Sequence, residues 1–194
     1  QNLSNNQRTA TFSIGYRARS IVINEIMYGP SSPEPEWVEL YNTRGDSISL
    51  RNWLISDSSR TSRRVITTQE INIAPNGYAV LTKSPATLLT IHPEILSPVL
   101  GVSSFPSLNN TSDAVVVYDN RAIVMDSVRY SSVWGGSGGR SLERIDPLAA
   151  STERTNWGTT RNAARSTPGE RNSLTRKDRD VSVDSLRFFP PFPN

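Results

Sequence analysis

The stretch IVINEIMYGPSSPEPEWVELYN, residues 21–42, sets two short apolar runs on either side of a Pro-rich turn. Each run carries a glutamate, Glu25 in the first and Glu39 in the second, where a half-buried strand ordinarily holds an apolar or neutral side chain. In the first run Val22, Ile26 and Tyr28 are expected on one face, with Asn24 interrupting the apolar set. In the second, Val38 and Leu40 share one face and Trp37, Glu39 and Tyr41 the other.

Outward from this pair the same period recurs. Strands are expected at residues 47–50, 53–56, 65–73, 78–82, 114–118, 123–130 and 141–145. Arg44-Gly45-Asp46, Pro75-Asn76-Gly77 and Asp119-Asn120 supply turn chemistry between them. Residues 85–91 alone read as a helical turn, with Ser84 as its cap and Pro85 at the first position. Short strands, frequent turns and almost no helix define an all-β sandwich.

Composition agrees with that class. The chain has 194 residues, enough for one sandwich domain with short appendages, and its 36% hydrophobic content suits strands with one wet face. The absence of cysteine excludes disulfide frameworks, thiolate zinc sites and thiol nucleophiles together. No apolar run has the length of a membrane-spanning helix, so no membrane insertion is expected. The net charge of +3 is unevenly placed. Residues 1–139 balance about eleven basic against about eleven acidic side chains, whereas residues 140–179 hold roughly nine against five.

Several motifs in sequence order carry a family resemblance. They are INEIMY (23–28), EWVELYN (36–42), LRNWLISD (50–57), NGYAVLT (76–82), SDAVVVYD (112–119), MDSVRYSS (125–132), GRSLERID (139–146), the Asn156-Trp157 pair and TPGERN (167–172). Together these resemble the lamin tail domain, over about residues 21–173. The resemblance implies an immunoglobulin-like β-sandwich. No coiled-coil heptads accompany it, so the secreted or cell-surface bacterial branch of the family is the better match. Two positions depart from the pattern, Asn52 and Ser112, where family members carry glycine; Asn tolerates a left-handed backbone better than Ser does.

The flanks read as parts of neighbouring units. Residues 1–20 suggest an Asn-rich turn followed by the trailing strand of a preceding domain, from Thr9 to Tyr16. Residues 174–194 suggest a charged linker and the first strand of a following one, VSVDSLRFF. Both strands resemble those of bacterial cell-adhesion-related immunoglobulin-like domains. The chain is thus expected to be an internal slice of a multidomain protein.

Candidate chemistry is sparse. Gly135-Gly136-Ser137-Gly138-Gly139 satisfies G-x-S-x-G, but an elbow nucleophile needs a helix after it and a downstream histidine. His92, the single histidine, lies upstream beside Pro93 and reads as a surface or turn residue. No catalytic residue and no cofactor-binding residue is assigned. Glu25, Glu36 and Glu39 recur in the motifs, with Asp57 and Asp126 further on. They are expected to pair with Arg129, Arg140 or Arg144, the alternative being an oxygen-ligated calcium site formed by Glu25, Glu36 and Glu39. Trp37, Trp53, Trp134 and Trp157 are expected to pack, with Trp134 the most exposed; a sugar-stacking role is the alternative.

These readings imply a non-catalytic, extracellular or cell-surface module of a bacterial protein. It would act as a spacer or in adhesion, its partners being neighbouring domains of the same polypeptide and a protein or glycan at the cell surface. Two alternatives stay open: a nucleic-acid-associated module using Arg140, Arg144, Arg161, Arg165 and Arg171, and a carbohydrate-binding sandwich.

Overall fold

A computed structural model describes residues 15–59 and 61–175. In chain order its elements are β1 (Ile21–Met27), β2 (Trp37–Asn42), β3 (Ile48–Ser49), β4 (Leu54–Ser56), β5 (Arg64–Val65), β6 (Asn72–Ile73), β7 (Tyr78–Thr82), α1 (Pro85–Ile91), β8 (Val99–Gly101), β9 (Ser112–Tyr118), β10 (Val124–Ser131), β11 (Leu142–Arg144) and β12 (Trp157–Thr159). Six strands form one sheet in the order β12-β11-β1-β2-β7-β8, antiparallel except between β7 and β8. Four form the facing sheet, β10-β9-β4-β5, and β3 pairs with β6 as a separate ribbon. The chain is an all-β sandwich, as its alternation predicts, and of the immunoglobulin-like type that the family resemblance implies.

The two sheets meet over a core of branched aliphatic side chains. Ile21, Ile23 and Ile26 of β1, Val38 and Leu40 of β2 and Leu81 of β7 pack against Ile55, Val115, Val117 and Val128 of the facing sheet. Each such side chain contributes on the order of 1.5–3 kcal/mol by leaving water. β2 keeps the two faces read from its sequence. β1 does not, because its pairing with β2 shifts between Ile23 and Glu25. That bulge brings Ile21 and Ile23 inward together with Ile26, and leaves Val22 opposite the outward Tyr41. Tyr28 stacks on Tyr130 inside the core, ring centroids 4.7 Å apart. Their hydroxyls leave the apolar zone to donate to the carbonyls of Gly135 (2.6 Å) and Asn109 (2.8 Å).

The connections follow local chemistry. Asn52 has φ 61°, a left-handed conformation that Asn tolerates better than most residues. Residues 65–73 do not form one strand: the polar run 67–70 turns, so that β5 joins β4 while β6 joins β3. Helix α1 spans the expected residues, yet Ser84 makes no side-chain cap bond. Tyr16 packs on Trp53 at 5.2 Å and the Arg19 N–H bonds to the Met125 carbonyl, so residues 16–20 dock on the sandwich. The remainder of the two flanking strands lies outside the described residues. No helix among the described residues is long and apolar enough to cross a membrane.

Candidate functional site

Strand alternation sends one residue in two to the outer face of the six-stranded sheet. At one end of that face Met27, Trp37 and Val80 form a small apolar cluster under Leu88 of α1 and Ile95. Next along the strands Glu25 lies opposite Glu39 on β2 and opposite Glu143 on β11, so three carboxylates stand side by side across adjacent strands. All three are fully buried.

Arg129, Arg140 and Arg144 do not neutralise this row. The expected partners fail for a topological reason: Glu143 and Arg144 are consecutive in β11 and therefore point to opposite faces. Arg144 follows Leu142 into the interior, where it bonds to Asp126 at 2.8 Å, to the Ile23 carbonyl at 2.7 Å and to Ser151 at 2.6 Å, with its guanidinium over the Trp157 ring. Burial pulls that guanidinium down to about 10, against the opposing influence of Asp126. Arg140 donates to the Thr160 and Asn162 carbonyls, and Arg129 is exposed on β10.

The glutamates are satisfied by neutral donors, mostly from residues 160–174, which cover the row. Glu25 Oε1 accepts from the Thr167 N–H at 2.9 Å. Glu39 accepts from Asn24 Nδ2 at 2.8 Å and from the Gly169 N–H at 2.5 Å. Glu143 accepts from the hydroxyls of Thr160 (2.6 Å), Thr167 (3.0 Å) and Ser173 (2.7 Å) and from the Leu174 N–H (2.9 Å). Asn172 locks the covering segment by donating to the Asn24 and Arg144 carbonyls.

A hydrogen count locates a proton. The Thr167 hydroxyl lies 3.0 Å from both Glu25 Oε2 and Glu143 Oε1 but carries a single hydrogen. Both contacts are hydrogen bonds only if one of the two carboxyls carries a proton and donates it to the Thr167 oxygen. The electrostatics assign that proton to Glu25. Burial first, then the neighbouring Glu143 carboxylate, pushes Glu25 up to about 8, against the pull of Ser141 and Thr167. Burial and the adjacent Glu25 raise Glu39 well above its usual range as well.

Glu36 sits apart from the row, half-buried, accepting from the Leu108 N–H at 3.2 Å; burial raises its pKa. Among the described residues no group of three or more His, Cys, Asp or Glu is placed to hold a metal ion. Asp57 accepts from the Ser59 N–H in an exposed turn. His92 is buried rather than exposed, between Glu34 (3.0 Å) and Glu94 (3.2 Å). Burial lowers its pKa, but the two carboxylates outweigh burial and raise it overall. Of the arginine set, Arg144 is sealed inside, Arg140 is half-buried, and Arg161, Arg165 and Arg171 are exposed. Trp37, Trp53 and Trp157 are buried and Trp134 packs at the core margin. The glycine run around Ser137 is a turn between β10 and β11, with positive φ at Gly135, Gly136, Gly138 and Gly139 and no helix after it.

Fold and site together define an immunoglobulin-like sandwich that binds its own ionisable groups internally. Residues 16–132 match the model of the Lamin Tail Domain family, and the chain belongs to that family, whose domains are non-enzymatic. Among solved structures, a DUF4876 family protein from Bacteroides thetaiotaomicron is similar at 12% identity and a TM-score of 0.45, over 86% of this chain and 74% of that one. No curated protein matches.

Proposed function

We propose that this chain is a non-catalytic structural or adhesion module, extracellular or at the cell surface of a bacterium, within a larger multidomain protein. One observation carries the reading: the buried ionisable groups close on internal partners. Each oxygen of the Glu25–Glu39–Glu143 row has a protein partner. Arg144 is held by Asp126, and His92 by Glu34 and Glu94. Groups so engaged hold segments together and are poor acids, bases or nucleophiles. The nucleic-acid alternative draws less support, since Arg144 and Arg140 direct donors to the chain's own carboxylate and carbonyls. An antibody raised against the chain tests the location: it should label intact cells of the producing bacterium, and labelling confined to lysed cells would overturn the proposal.

A further inference from the structure

Beyond the carboxylate row the outer face of the six-stranded sheet opens into a cleft of about 560 Å³, within the size range of small-ligand sites. Its aromatic side is a cross-strand pair, Tyr41 of β2 opposite Tyr78 of β7, with ring centroids 5.1 Å apart and planes tilted by 44°. Around the rings stand planar polar groups. Asn76 accepts from the Tyr41 hydroxyl at 3.3 Å, Asp146 forms part of the opposite wall, and the Arg171 guanidinium lies close enough to both phenols to act on them electrostatically. The rim formed by Thr43, Pro147 and Leu148, the last 72% exposed, is shared with a second cavity of about 310 Å³. That cavity is lined by Arg17, Arg19 and Arg44. Arg19 fixes the shared rim by donating to the carbonyls of Pro147 and Ala149.

We infer that this cleft binds an acidic oligosaccharide, its sugar rings lying on Tyr41 and Tyr78 and its carboxylate turned toward Arg171 and the adjoining arginines. The inference deepens the adhesion reading and rests on it for the ligand's setting. A sugar ring offers an apolar C–H face to an aromatic ring and a hydroxyl rim to planar groups with two polar atoms each, which Asn76, Asp146 and Arg171 supply. An extended peptide would need an open strand edge, whereas Tyr41 and Tyr78 lie on the face of paired strands. The arginines of the two cavities, Arg17, Arg19, Arg44 and Arg171, outnumber the solvent-accessible acids near them, Asp146, Glu170 and the Arg44-bound Asp46, which favours an anionic sugar.

The test is calorimetric titration of the full chain with a galacturonate tetramer, a neutral glucose tetramer and a single-stranded oligothymidylate of matched length. The galacturonate tetramer should bind and the glucose tetramer should bind at least tenfold more weakly. Tyr41→Ala should cost about tenfold, equivalent to roughly 1.4 kcal/mol, and Arg171→Gln should remove the preference for the acidic probe. Arg161→Gln should leave binding unchanged. Amide shifts on titration should cluster at residues 41, 76 and 78, a readout that holds if a tyrosine variant fails to fold. No galacturonate binding by the folded chain, equal binding of the glucose tetramer, binding indifferent to Tyr41, or tighter binding of the oligothymidylate through the same tyrosines would each overturn the inference. Cell labelling by the antibody is unaffected by any of these results, so the two proposals fail separately.

Discussion

Replacing Glu25 by glutamine separates the role of a proton from the role of a charge in the carboxylate row. Glu25 has an ordinary value of 4.5 when unfolded and about 8 when folded. Between those values the unfolded chain has lost a proton that the folded chain keeps, so stability is fully present below pH 4.5 and falls as pH rises toward 8. The slope is about 1.4 kcal/mol per pH unit for one proton, and across the window the loss accumulates to roughly 5 kcal/mol. That is of the order of a whole domain's stability, so the effect must be visible. The Glu25→Gln variant is the same shape as protonated Glu25. Its amide can donate to Thr167 Oγ1 and its carbonyl can accept from the Thr167 N–H. We expect it to match the parent within about 1 kcal/mol at pH 5, to lose Glu25's share of the slope while Glu39 and His92 keep theirs, and to be the more stable protein by several kcal/mol at pH 8. Glu143→Gln should behave differently, because its oxygens face four donors and an amide nitrogen would meet two of them; the cost should be about 2–4 kcal/mol, already present at pH 5. Urea unfolding followed by tryptophan fluorescence from pH 5 to 8.5 measures all three proteins, with unchanged m-values confirming comparable end states. A Glu25→Gln variant with the parent's slope, or one as damaged at pH 5 as Glu143→Gln, would refute the assignment of the proton.

Other expectations follow from the same bonding. Arg144→Met leaves Asp126 buried with its charge unmatched and should cost about 3–5 kcal/mol in urea unfolding, and a double change that also removes Asp126 should cost less than the two single changes combined. His92 should add stability that is complete below pH 6.5 and lost as pH rises through its raised folded value; in the His92→Gln variant that dependence should vanish from the melting temperature. Asn52→Ala should cost about 1 kcal/mol, because Asn52 holds φ 61°, whereas Asn52→Gly should unfold within a few tenths of the parent.

Much of this architecture is written in short-range pattern. The faces of β2 follow from strict alternation, and Asn52 departs from the family pattern by a residue type that still tolerates its left-handed backbone. The bulge in β1 is not readable from alternation, since one unpaired residue turns Ile21 and Ile23 inward against the period set by Val22. β8 and β12, three residues each, are too short to carry a period. That Arg144 could not serve Glu143 was within reach of the sequence. In LER, an inward Leu142 places Arg144 inward too, and so sends Glu143 outward, away from it. What the residues alone do not reveal is that Thr167, Gly169 and Ser173, outwardly an ordinary polar loop, spend hydroxyls and N–H groups on carboxylates more than a hundred residues earlier in the chain as well as on one nearby.

The carboxylate row also bears on where the folding unit ends. The family match stops at Ser132, yet the acids at the centre of the matched sheet depend on residues beyond it. Glu25 and Glu39 take donors from Thr167 and Gly169, Glu25 pairs across to Glu143 of β11, and Asp126 is neutralised by Arg144 of the same strand. A carboxylate taken out of water without hydrogen bonds costs several kcal/mol. The matched segment therefore contains two acids, Glu25 and Glu39, whose hydrogen bonds it cannot complete alone, and a third, Asp126, whose countercharge lies beyond it, so residues 133–175 are an integral layer of the sandwich. An aliphatic row at the same positions would bury as well but would accept any apolar cover. Glutamates accept only a segment that presents hydroxyls and N–H groups at the right places, so the row both holds the covering segment and selects it.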